Sequence, residues 1–453
     1  MILNKNDVKF INSIDNIGQI FFWQDRVFRA INDNQASKVK ELLYSGLIDE
    51  LVRNGLFPET TVSEDICIEG FSLILEHKKI PYITVSSEWS FHMLKDVCMA
   101  YLKVIKICNK FGYSLKDGHL YNITFFNNKP IFFDFGSIVR EKNDSGLFEF
   151  YLRAVIPLQV WSKGDFYLAS LILRDEGSHT RFLPSTSLEQ QKILHPILSS
   201  FREKSTSRFI RRAINYLSRR LFKKNIVSPP LLTCEKLTQI INKIEQTKFQ
   251  TAWSNYHDEF FSGININSTP RFDRIIELLN SLNLSSMIDL AGNKGAFSLL
   301  VAQKTNIPQI LCTDYDESVI DSLYLFVKNN NITKVLPILL NFIYPIPLGE
   351  FSNQRLKADI AVALAITHHV LLAQSIQIDD VLRKIGMYSN HFVLIEFMPL
   401  GLWDGKNAQP NPAYYTTEWF REKFQEQFTL LIEEQTEPNR IFFLGEKIMN
   451  ANN

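Results

Sequence analysis

The sequence predicts an α/β fold: a Rossmann-like seven-stranded sheet in the C-terminal half, preceded by an α+β half and a helical connector. Three observations carry this. Strand candidates at 287–290, 310–313, 335–340, 358–364 and 391–397 alternate with helical stretches, as in a parallel doubly wound sheet. Two more, at 428–434 and 439–445, are joined by Gln435-Thr436-Glu437-Pro438, which suits an antiparallel hairpin at one edge. Finally, Met287 to Gln303 places a strand, a small-residue turn and a helix start in succession, an arrangement that brings backbone N–H groups close to a ligand.

With 453 residues the chain is long for one core, and two or three domains are expected. A hydrophobic content of 45% with 21% charged residues is that of a soluble globular protein. The net charge of +1 gives no global reason to expect nucleic acid as a partner. Five scattered cysteines (67, 98, 108, 234, 312) form no C-x-x-C pair and read as reduced thiols. The start MILNKNDVKF lacks a long apolar run, and no stretch reaches the ~20 apolar residues of a membrane span. A cytoplasmic location is therefore expected.

In the first half, Gly18–Phe22 and Arg26–Arg29 flank the turn-like Trp23-Gln24-Asp25 and read as a hairpin. Lys38 to Asn54 is amphipathic, with Leu42, Leu43, Leu47 and Leu51 at helical spacing. Phe71–Leu75 and Tyr82–Val85 read as strands. Ser87-Glu88 is a candidate cap for a long helix from Trp89 to Phe111, ended by Gly112. Then Asp117 and Asn122 lie five residues apart, followed by Asp134-Phe135-Gly136.

That order and spacing resembles the catalytic and metal-binding loops of the protein-kinase fold. The resemblance implies that Asp117 orients a nucleophilic hydroxyl, while Asn122 and Asp134 hold Mg²⁺ against ATP phosphates. No G-x-G-x-x-G loop and no V-A-I-K strand precede them, and Leu115 and Lys116 stand where histidine and arginine are expected. A degenerate kinase-like domain over 1–165 is the expectation, with ATP·Mg²⁺ entering only if that domain is live.

Residues 166–252 read as a helical connector. Within it, Arg202 to Lys224 forms a basic amphipathic helix with Phe209, Ala213, Leu217 and Leu221 on one face. It packs on the fold with solvated arginines, or makes peripheral contact with an anionic lipid or polyanionic substrate. Ser228-Pro229-Pro230 breaks it.

In the C-terminal half, Ala291-Gly292-Asn293-Lys294-Gly295 forms the turn after the first strand, where glycine permits close backbone approach or a positive φ. The second strand ends in Asp314-Tyr315-Asp316, and an acid at that place grips a ribose diol in a nucleoside-binding sheet. The segments DLAGNKGAFS, CTDYDESVIDSLY, ADIAVALAITHHVLL and FVLIEFMPLG together resemble the class I S-adenosylmethionine-dependent methyltransferases. More narrowly they are similar to the nodulation-type (NoeA-like) enzymes of bacteria. One departure is that the family's usual first loop glycine is Ala291.

The resemblance implies a methyltransferase domain over 253–453, with S-adenosylmethionine as cofactor. Asp289, Ala291, Gly292, Asn293 and Gly295 would cradle its methionine half. Asp314, with Asp316 as the alternative, would take the ribose hydroxyls, Tyr315 would pack on the adenine and Asn341 would read its amino group. His368 or His369 would face the transferred methyl as a base, or be plain structure; Glu396 is a second base or positioning candidate. No metal set accompanies the histidines. Met398 to Tyr415, with Trp403, reads as a loop over the strand ends that contacts the acceptor. The acceptor is expected to be a small-molecule, glycan or lipo-oligosaccharide hydroxyl. The alternatives are a bifunctional kinase-methyltransferase acting on a polysaccharide end, and a non-catalytic scaffold.

Overall fold

The computed structural model describes residues 1–11, 16–140, 145–174, 233–247, 250–345, 352–402 and 410–448. The basic helix 202–224, the break at 228–230, Trp403 and much of the connector lie outside these residues.

The N-terminal half is α+β. Strands β1 (Gly18–Trp23) and β2 (Arg26–Ile31) form a hairpin through Gln24 and Asp25, both at positive φ. They belong to an antiparallel sheet ordered β1-β2-β4-β3, with β3 at Thr60–Val62 and β4 at Leu73–His77. Lys38 to Asn54 is not one helix but two, α1 (Asp33–Tyr44) and α2 (Leu47–Arg53), because Gly46 turns the chain at φ 78°. The expected strand at Tyr82–Val85 is irregular, since Thr84 gives its N–H to the Thr124 hydroxyl at 2.8 Å instead of to a neighbouring strand. The edge of the sheet beside β4 is formed by β3. Beyond these lie the long helix α3 (Phe91–Lys110) and the hairpin β5 (Ile123–Phe126) with β6 (Lys129–Phe132). The described flanks of the expected connector, α4 (Phe166–Arg174) and α5 (Cys234–Asn242), pack into this same core through Ala169, Ile172, Leu237 and Ile241.

The C-terminal half begins with α6 (Pro270–Ser281), started by Thr269, whose hydroxyl accepts from the Phe272 N–H, and by proline in its first turn. There follow β7 (Ser286–Leu290), α7 (Ala296–Lys304), β8 (Gln309–Asp314), α8 (Glu317–Asn329) and β9 (Val335–Leu339). Next come β10 (Ala358–Ala363), α9 (Ile378–Met387), β11 (Ser389–Phe397), α10 (Thr417–Gln425), β12 (Phe428–Glu437) and β13 (Arg440–Lys447). The seven strands order as β9-β8-β7-β10-β11-β13-β12. The first five are parallel, while β13 is antiparallel to both β11 and β12. Both faces of the parallel part of the sheet are covered, so strands β7 to β10 are nearly continuous apolar runs, whereas edge strand β12 is largely half-buried or exposed. Ile288, Leu311, Ala361 and Ile395 face α9 and α10; Met287, Ile310, Val362 and Leu394 face α6 and α7.

The two halves share a polar and apolar seam. The expected cap of α3 by Ser87-Glu88 does not form. Instead Glu317 accepts from the Phe91 N–H at 3.1 Å and Asp321 from the His92 N–H at 2.8 Å, so acids of α8 satisfy the open donors of α3. Glu88 is drawn away to a buried ion pair with Arg355 at 2.6 Å, and Tyr324 sets its ring edge-on to Phe125.

Burial, with Asp321 nearby, pushes the Glu317 carboxyl up to about 8. The folded state thus holds a proton that the unfolded chain releases above about 4.5, and stability falls as pH rises through that window. Glu317→Gln is expected to flatten this loss, on the order of 1–2 kcal/mol between pH 6 and 9, in denaturant titrations at both pH values.

Candidate active site

The carboxyl ends of β7, β8, β10 and β11 meet where the strand order reverses, between β7 and β10, which is where open α/β sheets bind ligands. After β7 the turn reverses tightly. Gly292 donates its N–H to the Thr313 carbonyl at 2.8 Å, and Gly295 its own to the Gly292 carbonyl at 2.9 Å. Gly295 sits at φ +75°, and a Cβ there would come within 2.8 Å of Leu323; at Gly292 one would meet the Asp289 carboxylate at 2.6 Å. Ala291 is itself at φ 62° and Asn293 at φ 52°. The left-handed region costs alanine about 1 kcal/mol, so Ala291→Gly is expected to raise stability by about that amount with cofactor affinity no weaker. Chemical denaturation and titration calorimetry check both.

The two strand-end acids have different surroundings. Asp289 is buried and accepts from the Ser298 hydroxyl at 2.7 Å, tying the end of β7 to the first turn of α7; burial pushes its carboxyl up to about 7. Asp314 accepts from the Asn293 N–H at 3.0 Å and the Asp316 N–H at 2.9 Å, and burial raises it to about 6. The loop and the second acid therefore meet at one point. Asp316 caps α8 by accepting from the Ser318 N–H, so its carboxylate is engaged in starting that helix. Tyr315 is exposed. Asn341 is also exposed, and its amide oxygen already accepts from the Ile343 and Tyr344 N–H groups at 3.1 and 3.0 Å. The oxygen expected to take the adenine amino group is thus already shared by two backbone donors.

At the end of β10, Ala365 at φ 52° gives its N–H to Glu396 at 2.9 Å, and the Thr367 hydroxyl donates to the Glu396 carbonyl at 2.7 Å. These bonds fix the segment carrying His368 and His369. His368 is 6% exposed, and its Nδ1 is a buried atom without a hydrogen-bond partner among the described residues. Burial, with His369 and Arg440 adding to it, lowers the His368 imidazole to about 3; burial also lowers His369. Both rings are neutral near pH 7.

Glu396 does not suit the role of base. Its carboxylate, 1% exposed, accepts from Arg271 at 2.8 Å, Arg440 at 2.7 Å and the Ala365 N–H. It anchors three chain segments, which agrees with the positioning role that was one of its two expected roles. Sequence reasoning missed Arg271 and Arg440, as well as Trp253 and His257. Nothing in their spacing marks them. His257 is likewise lowered, to about 4, by burial and by the charges of Arg271, Lys294 and Arg440.

The donor set fits a nucleoside-bearing methyl donor: a strand-end carboxylate for ribose hydroxyls, a turn of small residues, and an orphaned imidazole nitrogen at the neighbouring strand end. Among the described residues no group of three or more His, Cys, Asp or Glu side chains is placed to hold a metal ion, and no helix is long and apolar enough to cross a membrane.

Asp117 and Asn122 are brought together, the amide donating to the carboxylate at 2.6 Å. Asp134 starts the turn at Phe135, accepting from the Gly136 N–H at 2.9 Å.

No protein-family model matches the chain. It is 24% identical over 409 residues to the nodulation protein NoeA of Rhizobium meliloti (strain 1021), across 85% of this chain and 83% of that protein. Among solved structures it is similar to magnesium protoporphyrin IX methyltransferase from Synechocystis PCC 6803 with bound S-adenosylhomocysteine. That match has a TM-score of 0.33 and 11% identity, over 43% of this chain and 94% of the other. A second is a SAM-dependent methyltransferase from Aquifex aeolicus, with a TM-score of 0.31 and 11% identity, over 44% and 100%.

Proposed function

We propose that the chain is an S-adenosylmethionine-dependent methyltransferase that acts on a hydroxyl of a small molecule or glycan. The observation that carries this is the meeting of the 291–295 turn with Asp314 through the Asn293 N–H, at the carboxyl ends of β7 and β8. The strand order, with an antiparallel last strand inserted beside β11, supports the same reading. The nodulation-type resemblance is what brings lipo-oligosaccharide hydroxyls into the acceptor class. The methyltransferase domain is taken as 253–453, and a cytoplasmic location goes with the reading.

Bound there, S-adenosylmethionine would supply an electrophilic methyl group on a sulfonium. Asp314 would accept from the ribose hydroxyls, and Gly292, Asn293 and Gly295 would set the backbone against the methionine half. Asp289 holds the turn from behind through Ser298. His368 would turn its buried Nδ1, unpartnered among the described residues, to accept a hydrogen bond from the acceptor hydroxyl and orient it. Its low basicity suits positioning, with the proton leaving late. His369 supports it from 4.0 Å, ring to ring.

Titration calorimetry with S-adenosylmethionine, followed by transfer of a labelled methyl group to glycan and small-molecule hydroxyls, tests the reading. Absence of donor binding refutes it. A second reading, ATP-dependent phosphotransfer by the N-terminal half, is favoured by the Asp117–Asn122 contact at 2.6 Å. Calorimetry with ATP·Mg²⁺ on wild type and Asp134→Ala decides it: binding that the variant loses supports phosphotransfer, and no binding refutes it.

A further inference from the structure

The segment just ahead of α6, residues 251–258, lies across the candidate site. Asn293 donates its side-chain amide to the Trp253 carbonyl at 3.2 Å, and Lys294 pairs with Asp258. The Ser254 and Ser318 hydroxyls are 2.9 Å apart, and the Trp253 indole N–H donates to the Tyr315 hydroxyl at 3.1 Å. The indole makes T-shaped contacts with the His369 ring, centroids 5.1 Å apart at 84°, and with the Tyr256 ring, centroids 5.7 Å apart at 78°. One side chain thus touches both the tyrosine next to Asp314 and His369, the outer imidazole of the pair at the end of β10. A ligand held by Asp314 and reaching toward His368 would pass close to it.

A sulfonium carries positive charge and no N–H donor, so it is recognised by carboxylates or by aromatic faces. The carboxylates here have other tasks: Asp289 holds Ser298, Asp314 holds two backbone N–H groups and would take the ribose hydroxyls, and Glu396 holds two arginines. The nearby cations are paired as well, Arg271 and Arg440 with Glu396 and Glu437, and Lys294 with Asp258. The site neither repels a cation strongly nor offers it an unengaged carboxylate among these residues. Of the rings gathered at the junction, the indole is the largest and most polarisable, and Tyr256, Tyr315 and His369 all contact it.

We propose that Trp253 is the charge-selective wall of this crevice, its indole favouring a sulfonium methyl donor over the neutral thioether that remains after transfer. The proposal rests on the methyltransferase reading above. In the transfer the S–CH₃ bond breaks with its electron pair left on sulfur, a C–O bond forms, and the hydroxyl proton passes to solvent. The cation is thereby lost, and with it the attraction to the ring, so the wall would hold the donor and release the spent cofactor.

Calorimetry on the full chain with S-adenosylmethionine and S-adenosylhomocysteine separates the claims. Trp253→Leu is expected to weaken the sulfonium ligand about tenfold and the thioether by less than about twofold. Trp253→Phe is expected to lower the sulfonium-to-thioether preference by about threefold, and it carries the test if the leucine variant does not fold. Equal losses for both ligands, or an unchanged preference in both variants, overturn the proposal. A wild-type chain that binds the thioether but shows no preference for the sulfonium overturns it while leaving the methyltransferase reading standing. A chain that binds neither refutes that reading and this inference with it.

Discussion

Asp314→Ala is expected to abolish measurable cofactor binding, a loss of 100-fold or more on the order of two charge-assisted hydrogen bonds. The carboxylate has two tasks. It would accept from the ribose hydroxyls, and it already accepts from the Asn293 and Asp316 N–H groups, holding the 291–295 turn against the end of β8. Removing it leaves two buried N–H donors without an acceptor, which costs about 2–4 kcal/mol of stability as well. Asp314→Asn keeps one oxygen but turns an NH₂ group toward one of those donors, so it is expected to fold better than the alanine variant and still bind weakly. Burial raises the group to about 6. Below that pH the carboxylate takes up a proton and accepts less strongly, so wild-type affinity for the donor is expected to fall as pH drops from 7 to 5. Calorimetry at several pH values, with circular dichroism to confirm folding, checks each part. Unchanged donor binding in Asp314→Ala would overturn the site assignment.

The parallel sheet was legible because its strands are short apolar runs ending in chemistry-bearing residues. Met287–Leu290, the 310–313 run and the 358–364 run each lie within a residue or two of strands β7, β8 and β10. A strand buried on both faces writes its identity in composition, whatever it packs against. The N-terminal half was less legible, since its elements depend on distant partners. Tyr82–Val85 has strand composition, yet a threonine hydroxyl forty residues on takes the Thr84 N–H. Helix α3 starts at Phe91 because acids more than two hundred residues later cap it. The site divides in the same way. Asp289, Asp314 and the glycines follow one another closely along the chain and could be found by motif. The wall at Trp253 and the arginines on Glu396 come from before and after the motif, joined only by folding. Glu396 was read as either a base or a positioning group because a carboxylate at a strand end looks available in one dimension, while the arginines that hold it lie far along the chain.

Glu396→Leu is expected to destabilise the chain by about 3–5 kcal/mol, because it strands two guanidinium groups at low exposure. Arg271 and Arg440 would retain Glu437 at 3.6 and 3.0 Å, but that acid is partly exposed and neutralises them less well. The loss also releases Ala365, a residue at positive φ whose N–H depends on the carboxylate. The segment bearing His368 would then relax, and methyl transfer is expected to fall even where folding is restored. A triple variant, Glu396→Leu with Arg271→Met and Arg440→Leu, separates the two effects. Replacing a whole buried ionic cluster by apolar side chains is often neutral or stabilising, so the triple variant is expected to recover most of the lost stability. It has no carboxylate for Ala365, so its turnover is expected to stay low while its affinity for the methyl donor stays near wild type. Denaturant titration, donor calorimetry and turnover on the same three proteins decide it. Full turnover in the triple variant would show that Glu396 matters only for stability, and the positioning role would fall.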